Sequence, residues 1–147
     1  MGLGRDAQSD PDDFTVYRPG AYLASAFWKM SQRSLDRGQW LLAPMDKRST
    51  ASPTGSGDYV AYSDGGLSWS VPWIAGLYAL ACEVHPNITP ELFWSEALKT
   101  GRTIRLKRGA EERAFGSIAD PVALIARLEG LAAESKTLAA EASAAGR

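Results

Sequence analysis

Residues 62–81 read YSDGGLSWSVPWIAGLYALA, and this stretch decides the fold class that the sequence predicts. Two adjacent glycines, followed by Ser68 and Ser70, precede a run from Val71 to Cys82 that contains no charged side chain. Because that run is apolar on every face of a helix, we expect a helix that is buried on all sides. Pro72 suits the first turn of such a helix, where its missing N–H costs nothing. The stretch therefore predicts a turn, a serine and a central buried helix in succession.

Ser68 lies directly after the Gly-Gly turn and directly before the predicted helix. The N-terminus of a helix presents unpaired backbone N–H groups and the positive end of the helix dipole. Such an environment stabilises an oxyanion and suits a nucleophile whose attack produces one. The same position also suits a serine that only caps the helix, and this holds for Ser68 and Ser70 alike. The residue types by themselves leave both interpretations open.

Residues 66–76, GLSWSVPWIAG, resemble the serine signature of the subtilisin-like serine peptidases. That family writes the signature approximately as G-T-S-M-A-x-P, then an aromatic residue or His, then V-A-G. The similarity extends upstream to Trp40–Pro44 and downstream to His85–Pro90, so that it covers about residues 39–103. The features that agree within the signature are Gly66, Ser68, the small Ser70, Pro72, the branched Ile74 before Ala75, and Gly76.

The resemblance implies an α/β fold, namely the C-terminal portion of a subtilisin-like three-layer domain with a parallel sheet and a central buried helix. It also implies that Ser68 is the catalytic nucleophile, which hydrolyses peptide bonds through an acyl-serine intermediate. Substrate and oxyanion would contact the backbone at Gly65, Gly66 and Ser68. The implied partner is a peptide or protein substrate. We expect no cofactor and assign no metal ligand.

Three residues of the family's active site are missing from the sequence. The family's chain order is Asp, His, Ser, with an asparagine side chain for the oxyanion between His and Ser. The one histidine, His85, and the one asparagine, Asn87, both follow Ser68. A continuous helix between Ser68 and His85 would separate them by on the order of 25 Å. We therefore expect a catalytically incomplete chain whose Asp, His and Asn come from a missing N-terminal half.

The alternative function is a non-catalytic interaction module, or a degenerate pseudo-peptidase that keeps the core of the fold. Leu67 and Trp69 stand where the family usually has threonine and methionine.

Composition divides the chain into three segments. Residues 1–13 are rich in Gly, Asp and Ser, which predicts a disordered N-terminal segment. Residues 14–128 form the partial peptidase domain, and residues 129–147 an Ala/Glu-rich tail that continues a helix or frays. Inside the domain, the pattern predicts a helix over 21–35 ended by Gly38, a strand over 39–43 and a polar loop over 46–58.

Charge and cysteine content exclude several classes of function. A formal net charge of -1 gives no footprint for nucleic acid and no polybasic membrane anchor. The single cysteine excludes an intramolecular disulfide framework and a Cys-rich zinc site. No signal peptide is visible, and the run from Val71 to Cys82 is shorter than the ~20 residues that span a bilayer. We expect no membrane partner, while the compartment stays open.

Overall fold

The structure is a computed structural model that describes residues 2–6, 8–31 and 40–145. It is a mixed α/β structure, as expected, with three small sheets and four α-helices in that part of the chain. The strands are β1 (Gly2–Gly4), β2 (Arg18–Pro19), β3 (Ala43–Pro44), β4 (Arg48–Ala51), β5 (Tyr59–Tyr62), β6 (Arg102–Arg108) and β7 (Glu111–Ile118). The helices are α1 (Ala24–Lys29), α2 (Ser70–Val84), α3 (Pro90–Thr100) and α4 (Pro121–Ala145), with 3-10 turns at Phe14–Val16 and Leu67–Trp69.

The first sheet has the strand order β2-β1-β3, with β1 antiparallel to β2 and parallel to β3. The other two sheets are antiparallel hairpins, β4 with β5 and β6 with β7. Among the described residues, parallel pairing is confined to β1 with β3 and to a bridge between Leu42 and Ile118. The described residues therefore do not confirm the extended parallel sheet that the sequence predicts, because their parallel pairing is limited to one short strand pair and one bridge.

The segment before β3 separates two apolar cores. Leu41 belongs to a core between α2, α3 and α4, whereas the next residue, Leu42, belongs to a core beneath β1 and β7. Successive side chains of an extended chain point to opposite sides, which explains why two neighbouring leucines enter different cores. The fully buried members of the first core include Leu77, Ala81, Phe93, Ala97, Leu124 and Leu128, and those of the second include Leu3, Phe27, Phe115 and Ile118.

The prediction that the apolar helix is buried on all sides is wrong. One face of α2 carries the buried Leu77 and Ala81, but Val71 is 67% exposed and Leu80 is 53% exposed. Helix α2 contacts β3, α3 and α4, and these neighbours cover only one of its faces. The sequence of α2 is thus apolar enough for burial on two faces, while the described residues cover one.

Segment Leu67–Val84 has the length and composition of a membrane-crossing helix, and 17% of its residues are buried. It is longer than the charge-free run considered above because it includes Leu67–Ser70 before the run and Glu83 and Val84 after it. One such segment is weak support for a membrane span, since core helices and signal sequences pass the same test.

The N-terminal segment is ordered at its start, in contrast to the predicted disorder over residues 1–13. Strand β1 is the central strand of its sheet, and Leu3 is buried. The small residues that favour disorder have a packing role here, because a Cβ on Gly2 would overlap the side chain of Met45. Further along the segment, the Tyr17 hydroxyl donates to the carbonyl oxygen of Pro11 over 2.8 Å.

Local signals explain several other elements. Strand β5 covers Tyr59–Tyr62, a stretch of β-prone residues. Thr89 caps α3 by accepting from the Leu92 N–H at 3.2 Å, and Asp120 accepts from the Ala123 N–H at the start of α4. Helix α4 continues to Ala145, through most of the predicted tail.

Two other predictions differ from the structure. The polar loop predicted over 46–58 contains β4, which pairs with β5. Of the helix predicted over 21–35, the structure shows α1 at Ala24–Lys29. Residues 32–39, with the predicted stop at Gly38 and the first residue of the predicted strand, lie outside the described residues.

Candidate functional site

Ser68 is the middle residue of the 3-10 turn that leads directly into α2. The turn is closed by the Trp69 N–H, which donates to the carbonyl oxygen of Gly66 over 2.9 Å, and by the Ser70 N–H, which donates to that of Leu67. The Ser68 side chain is exposed. Within residues 2–6, 8–31 and 40–145, its hydroxyl makes no hydrogen bond. The Ser68 N–H belongs to the first N–H groups of this helical segment, which have no partner within a helix.

The structure distinguishes Ser68 from Ser70, two residues later. Ser70 is buried, and its Oγ donates to the carbonyl oxygen of Ala43 over 3.5 Å, which joins the start of α2 to β3. The residue at the N-cap of α2 is Trp69, and no side chain caps the helix there. Neither serine therefore plays the capping role that was the simpler interpretation of this stretch.

The Gly-Gly turn before Ser68 is held by a buried carboxylate. Asp46 Oδ1 accepts from the Gly65 N–H at 2.8 Å, and Oδ2 accepts from the Ala21 N–H at 2.8 Å. A Cβ on Gly65 would overlap the carbonyl oxygen of Met45, so the close approach of the two backbones requires glycine. A Cβ on Gly66 would lie 3.7 Å from Ser68 Oγ, and its absence leaves open space beside the hydroxyl.

An aromatic pair lies beside the turn. The rings of Tyr62, at the end of β5, and Trp69 are 5.0 Å apart between centroids and tilted by 47°. Trp69 Cδ1 also lies close to Gly65. Trp69 thus packs against the hairpin β4–β5 next to the turn.

The described residues supply no base for Ser68. His85 is the C-cap of α2, at the opposite end of a 15-residue helix, which places it on the order of 22 Å from the first turn. Its backbone N–H donates to Ala81, and its Nδ1 is buried without a hydrogen-bond partner in the described part of the chain. Both oxygens of Asp46 are occupied by backbone N–H groups.

No group of three or more His, Cys, Asp or Glu side chains is placed to hold a metal ion in the part of the chain that was searched. Cys82 lies on α2 as a free thiol and is partly buried. The expectation that the chain binds no metal or cofactor stays a prediction.

Among the described residues, the groups with perturbed pKa values include Glu96, Tyr17 and Arg48, and none of these three hydrogen-bonds to Ser68. The hydrogen bond from Lys99, together with that from Arg127, lowers the pKa of Glu96 between α3 and α4. Burial raises the pKa of Tyr17, and burial lowers the pKa of Arg48. These pKa shifts arise from burial and from contacts between residues that are distant in sequence, as between Glu96 and Arg127.

The residue that sequence reasoning missed at the site is Asp46. Its position after Pro44 and Met45 at the start of a polar stretch reads as an ordinary loop acid. The role of Asp46 depends on its hydrogen bond to Gly65 in the Gly-Gly turn, 19 residues later. No local sequence pattern connects two residues so far apart, so the sequence offers no signal for this bond.

Comparison of the chain with known protein families, with curated protein sequences and with solved structures finds no match in any of the three. The relation to the subtilisin-like peptidases therefore stays a prediction that depends on residues 39–103 of this chain.

Proposed function

We propose that this chain is the serine-bearing portion of a subtilisin-like serine endopeptidase. The observation that carries the proposal is the difference in environment between Ser68, in the turn before α2, and Ser70, the first residue of α2. Ser68 is exposed at the N-terminus of α2 and its hydroxyl makes no hydrogen bond to the described residues, whereas Ser70 is buried and bonded to β3. A serine that caps a helix accepts a hydrogen bond from a backbone N–H, and Ser68 makes no such bond in the described part of the chain.

The proposed chemistry is acyl transfer. Ser68 Oγ attacks the carbonyl carbon of the scissile peptide bond, and a histidine base supplied from outside this chain takes the proton. The negative charge develops on the former carbonyl oxygen, near the Ser68 N–H and the positive end of the α2 dipole. Gly65 and Gly66 leave room for the peptide backbone. The tetrahedral intermediate then collapses, the C–N bond breaks, and the histidine gives its proton to the leaving amine. Water, deprotonated by the same histidine, hydrolyses the acyl-Ser68 and restores the serine.

The missing Asp, His and oxyanion Asn are assigned to an N-terminal half of the same peptidase, and the exposed side of α2 supports this assignment. In a three-layer subtilisin-like domain, α2 would be the central helix and would be covered on both faces. The exposed positions of α2 include Val71, Ala75 and Leu80, all apolar. A face of this kind is typical of a surface that becomes buried on assembly.

A second candidate function is supported by the same face. Without a base, the chain can bind a partner through the apolar side of α2 and catalyse nothing, as an interaction module or pseudo-peptidase. The two functions differ at Ser68. The peptidase needs the Ser68 hydroxyl, whereas a module that binds through Val71 and Leu80 does not.

The experiment that tests the proposal is hydrolysis of a casein substrate by the chain after co-expression with an N-terminal half that carries Asp, His and Asn. The isolated chain is expected to show no hydrolysis above buffer. The assembled protein is expected to hydrolyse casein, and Ser68→Ala is expected to lower kcat by at least about 10⁴-fold. Ser70→Ala is the matched control and is expected to keep most of the activity. Assembly without hydrolysis would favour the interaction module.

A further inference from the structure

A cavity of about 480 Å³ lies beside Asp46, among residues other than those of the Ser68 turn. It is formed by the N-terminal segment, the connection from β3 to β4, the first turns of α2 and the start of α4. Ser68 and the glycines before it are not among its lining residues. The cavity therefore does not include the proposed nucleophile, although Asp46, which lines the cavity, also accepts from the Gly65 N–H of the serine turn.

The charges around this cavity are unbalanced. Three cationic side chains, Arg5, Lys47 and Arg48, line it together with two carboxylates, Asp12 and Asp46. Within the described ranges, none of the three cations has a carboxylate oxygen within ion-pair distance. Asp46 directs both oxygens to backbone N–H groups. With three cations and two carboxylates, the lining of the cavity carries one net positive charge, which matches a monoanionic ligand.

Arg48 is the cation that most needs such a ligand. Its side chain is partly buried, and the one hydrogen bond of its guanidinium to described residues is a long one, from Nη1 to the carbonyl oxygen of Pro44 at 3.5 Å. Burial lowers the pKa of Arg48, and the charge of nearby Arg5 acts in the same direction. A charge removed from water without a partner is costly, and an anion in the cavity would relieve that cost.

The wall of the cavity is mixed, with apolar ring surfaces beside the charged groups. Tyr17, Pro44 and Trp73 contribute ring surfaces, and the Tyr17 hydroxyl is already bonded to the carbonyl oxygen of Pro11. An inorganic ion would leave these rings without contacts, whereas an apolar group attached to the anion would cover them. The planar guanidinium of arginine pairs with the two oxygens of a carboxylate through two parallel hydrogen bonds.

We infer that this cavity binds a carboxylate carried on an apolar body, with the Arg48 guanidinium as its principal ligand and Lys47 as a second cation. A free aromatic or aliphatic acid and the C-terminus of a peptide share this chemistry. The ligand site extends beyond the proposed peptidase function, because it uses none of the residues of the Ser68 turn.

The test is an NMR titration of the full chain with N-acetylphenylalanine, and with N-acetylphenylalanine amide as the neutral control. The acid is expected to shift the backbone signals of Lys47, Arg48 and Ser49 saturably, and the amide is expected to leave them in place. Arg48→Gln is expected to weaken binding of the acid at least about tenfold, and Lys47→Gln is expected to weaken it less. Arg105→Gln, at an exposed position of β6, is the matched control and is expected to bind like the wild type.

A second arm distinguishes the two sources of the carboxylate. Acetyl-Ala-Ala-Phe with a free C-terminus is expected to bind more tightly than N-acetylphenylalanine if the ligand is a peptide terminus, and equally if it is a small acid. Equal binding of acid and amide, the absence of saturable shifts, or unchanged binding by both folded variants Arg48→Gln and Lys47→Gln would overturn the inference. The ¹H–¹⁵N spectrum of each variant shows whether it is folded.

Discussion

The buried carboxylate of Asp46 accepts a hydrogen bond from the backbone N–H of Gly65 over 2.8 Å. This bond spans 19 residues and connects the end of the β3 region to the turn that presents Ser68. The second oxygen of Asp46 accepts from the N–H of Ala21, before α1. One side chain therefore holds together the N-terminal region, the β3–β4 connection and the serine turn.

Replacing Asp46 by asparagine is expected to destabilise the protein. The asparagine side chain keeps one oxygen acceptor and presents an NH₂ group to the other backbone N–H, which then stays buried without a partner. We expect the free energy of unfolding to fall by about 1–3 kcal/mol, measured by urea denaturation. Asp64→Asn changes an exposed acid of the same turn and is expected to change the value by less than about 0.5 kcal/mol. Equal effects of the two variants would contradict the role assigned to Asp46.

Gly65 is expected to tolerate no larger side chain. Gly65→Ala would place a methyl group on the carbonyl oxygen of Met45, a backbone atom that cannot move aside cheaply. We expect a loss of at least about 2 kcal/mol in the free energy of unfolding. Gly76→Ala, where an added Cβ meets no atom within 4 Å, is expected to stabilise α2 by about 0.5–1 kcal/mol. If Gly65→Ala left the free energy of unfolding unchanged, the backbone of the turn would have to follow a different path.

The sequence predicted the local part of this site and missed its tertiary part. Gly65, Gly66, Ser68 and the start of α2 follow from turn, cap and helix signals that act within a few residues. The bond from Asp46 to Gly65 joins residues far apart in sequence, and no periodicity reports such a contact. The half-exposure of α2 also escaped prediction, since hydrophobicity shows which faces can be buried and not which neighbours are present.

The two faces of α2 are expected to differ sharply in their contribution to stability. Leu77 is buried in the core with α3 and α4, so Leu77→Ala is expected to cost about 2–5 kcal/mol. Leu80 is 53% exposed, and Leu80→Ala is expected to cost less than about 1 kcal/mol. Chemical denaturation of both variants checks the difference. A comparable loss in the two would mean that the exposed face of α2 is covered in the isolated chain.

We also expect the exposed face to be the surface on which the proposed N-terminal half assembles. Leu80→Glu should leave the far-ultraviolet circular dichroism spectrum of the isolated chain unchanged, because the new carboxylate lies in water. The same variant is expected to weaken assembly with the N-terminal half at least about tenfold, as measured by co-purification. Glu129→Gln, at an exposed position of α4, serves as the control and is expected to assemble normally.

Acid is expected to weaken the contact between α3 and α4. Lys99 and Arg127 hold the pKa of buried Glu96 below its usual value of 4.5. A pKa that is lower in the folded chain contributes stability above the unfolded value, and this contribution is lost as the pH falls through the folded value. Glu96→Gln is therefore expected to cost about 1–3 kcal/mol at pH 7, and the difference from wild type should shrink below about pH 4.5.

Thermal unfolding between pH 7 and pH 3 measures this dependence. Glu129→Gln, at an exposed position of α4, is expected to follow the wild-type curve throughout. A difference between wild type and Glu96→Gln that stays constant with pH would show that the ion pairs of Glu96 do not stabilise the fold.

Covalent labelling with a fluorophosphonate probe tests the identity of Ser68 as a nucleophile most directly. Peptide mass spectrometry locates the adduct. The account predicts no adduct on the isolated chain, because the described residues offer no base to Ser68. It predicts a stoichiometric adduct on Ser68, and none on Ser70, when the N-terminal half with its Asp, His and Asn is assembled. An adduct on the isolated chain would contradict the claim that this chain lacks a base for Ser68. An unlabelled Ser68 in the assembled protein would contradict the proposed peptidase function.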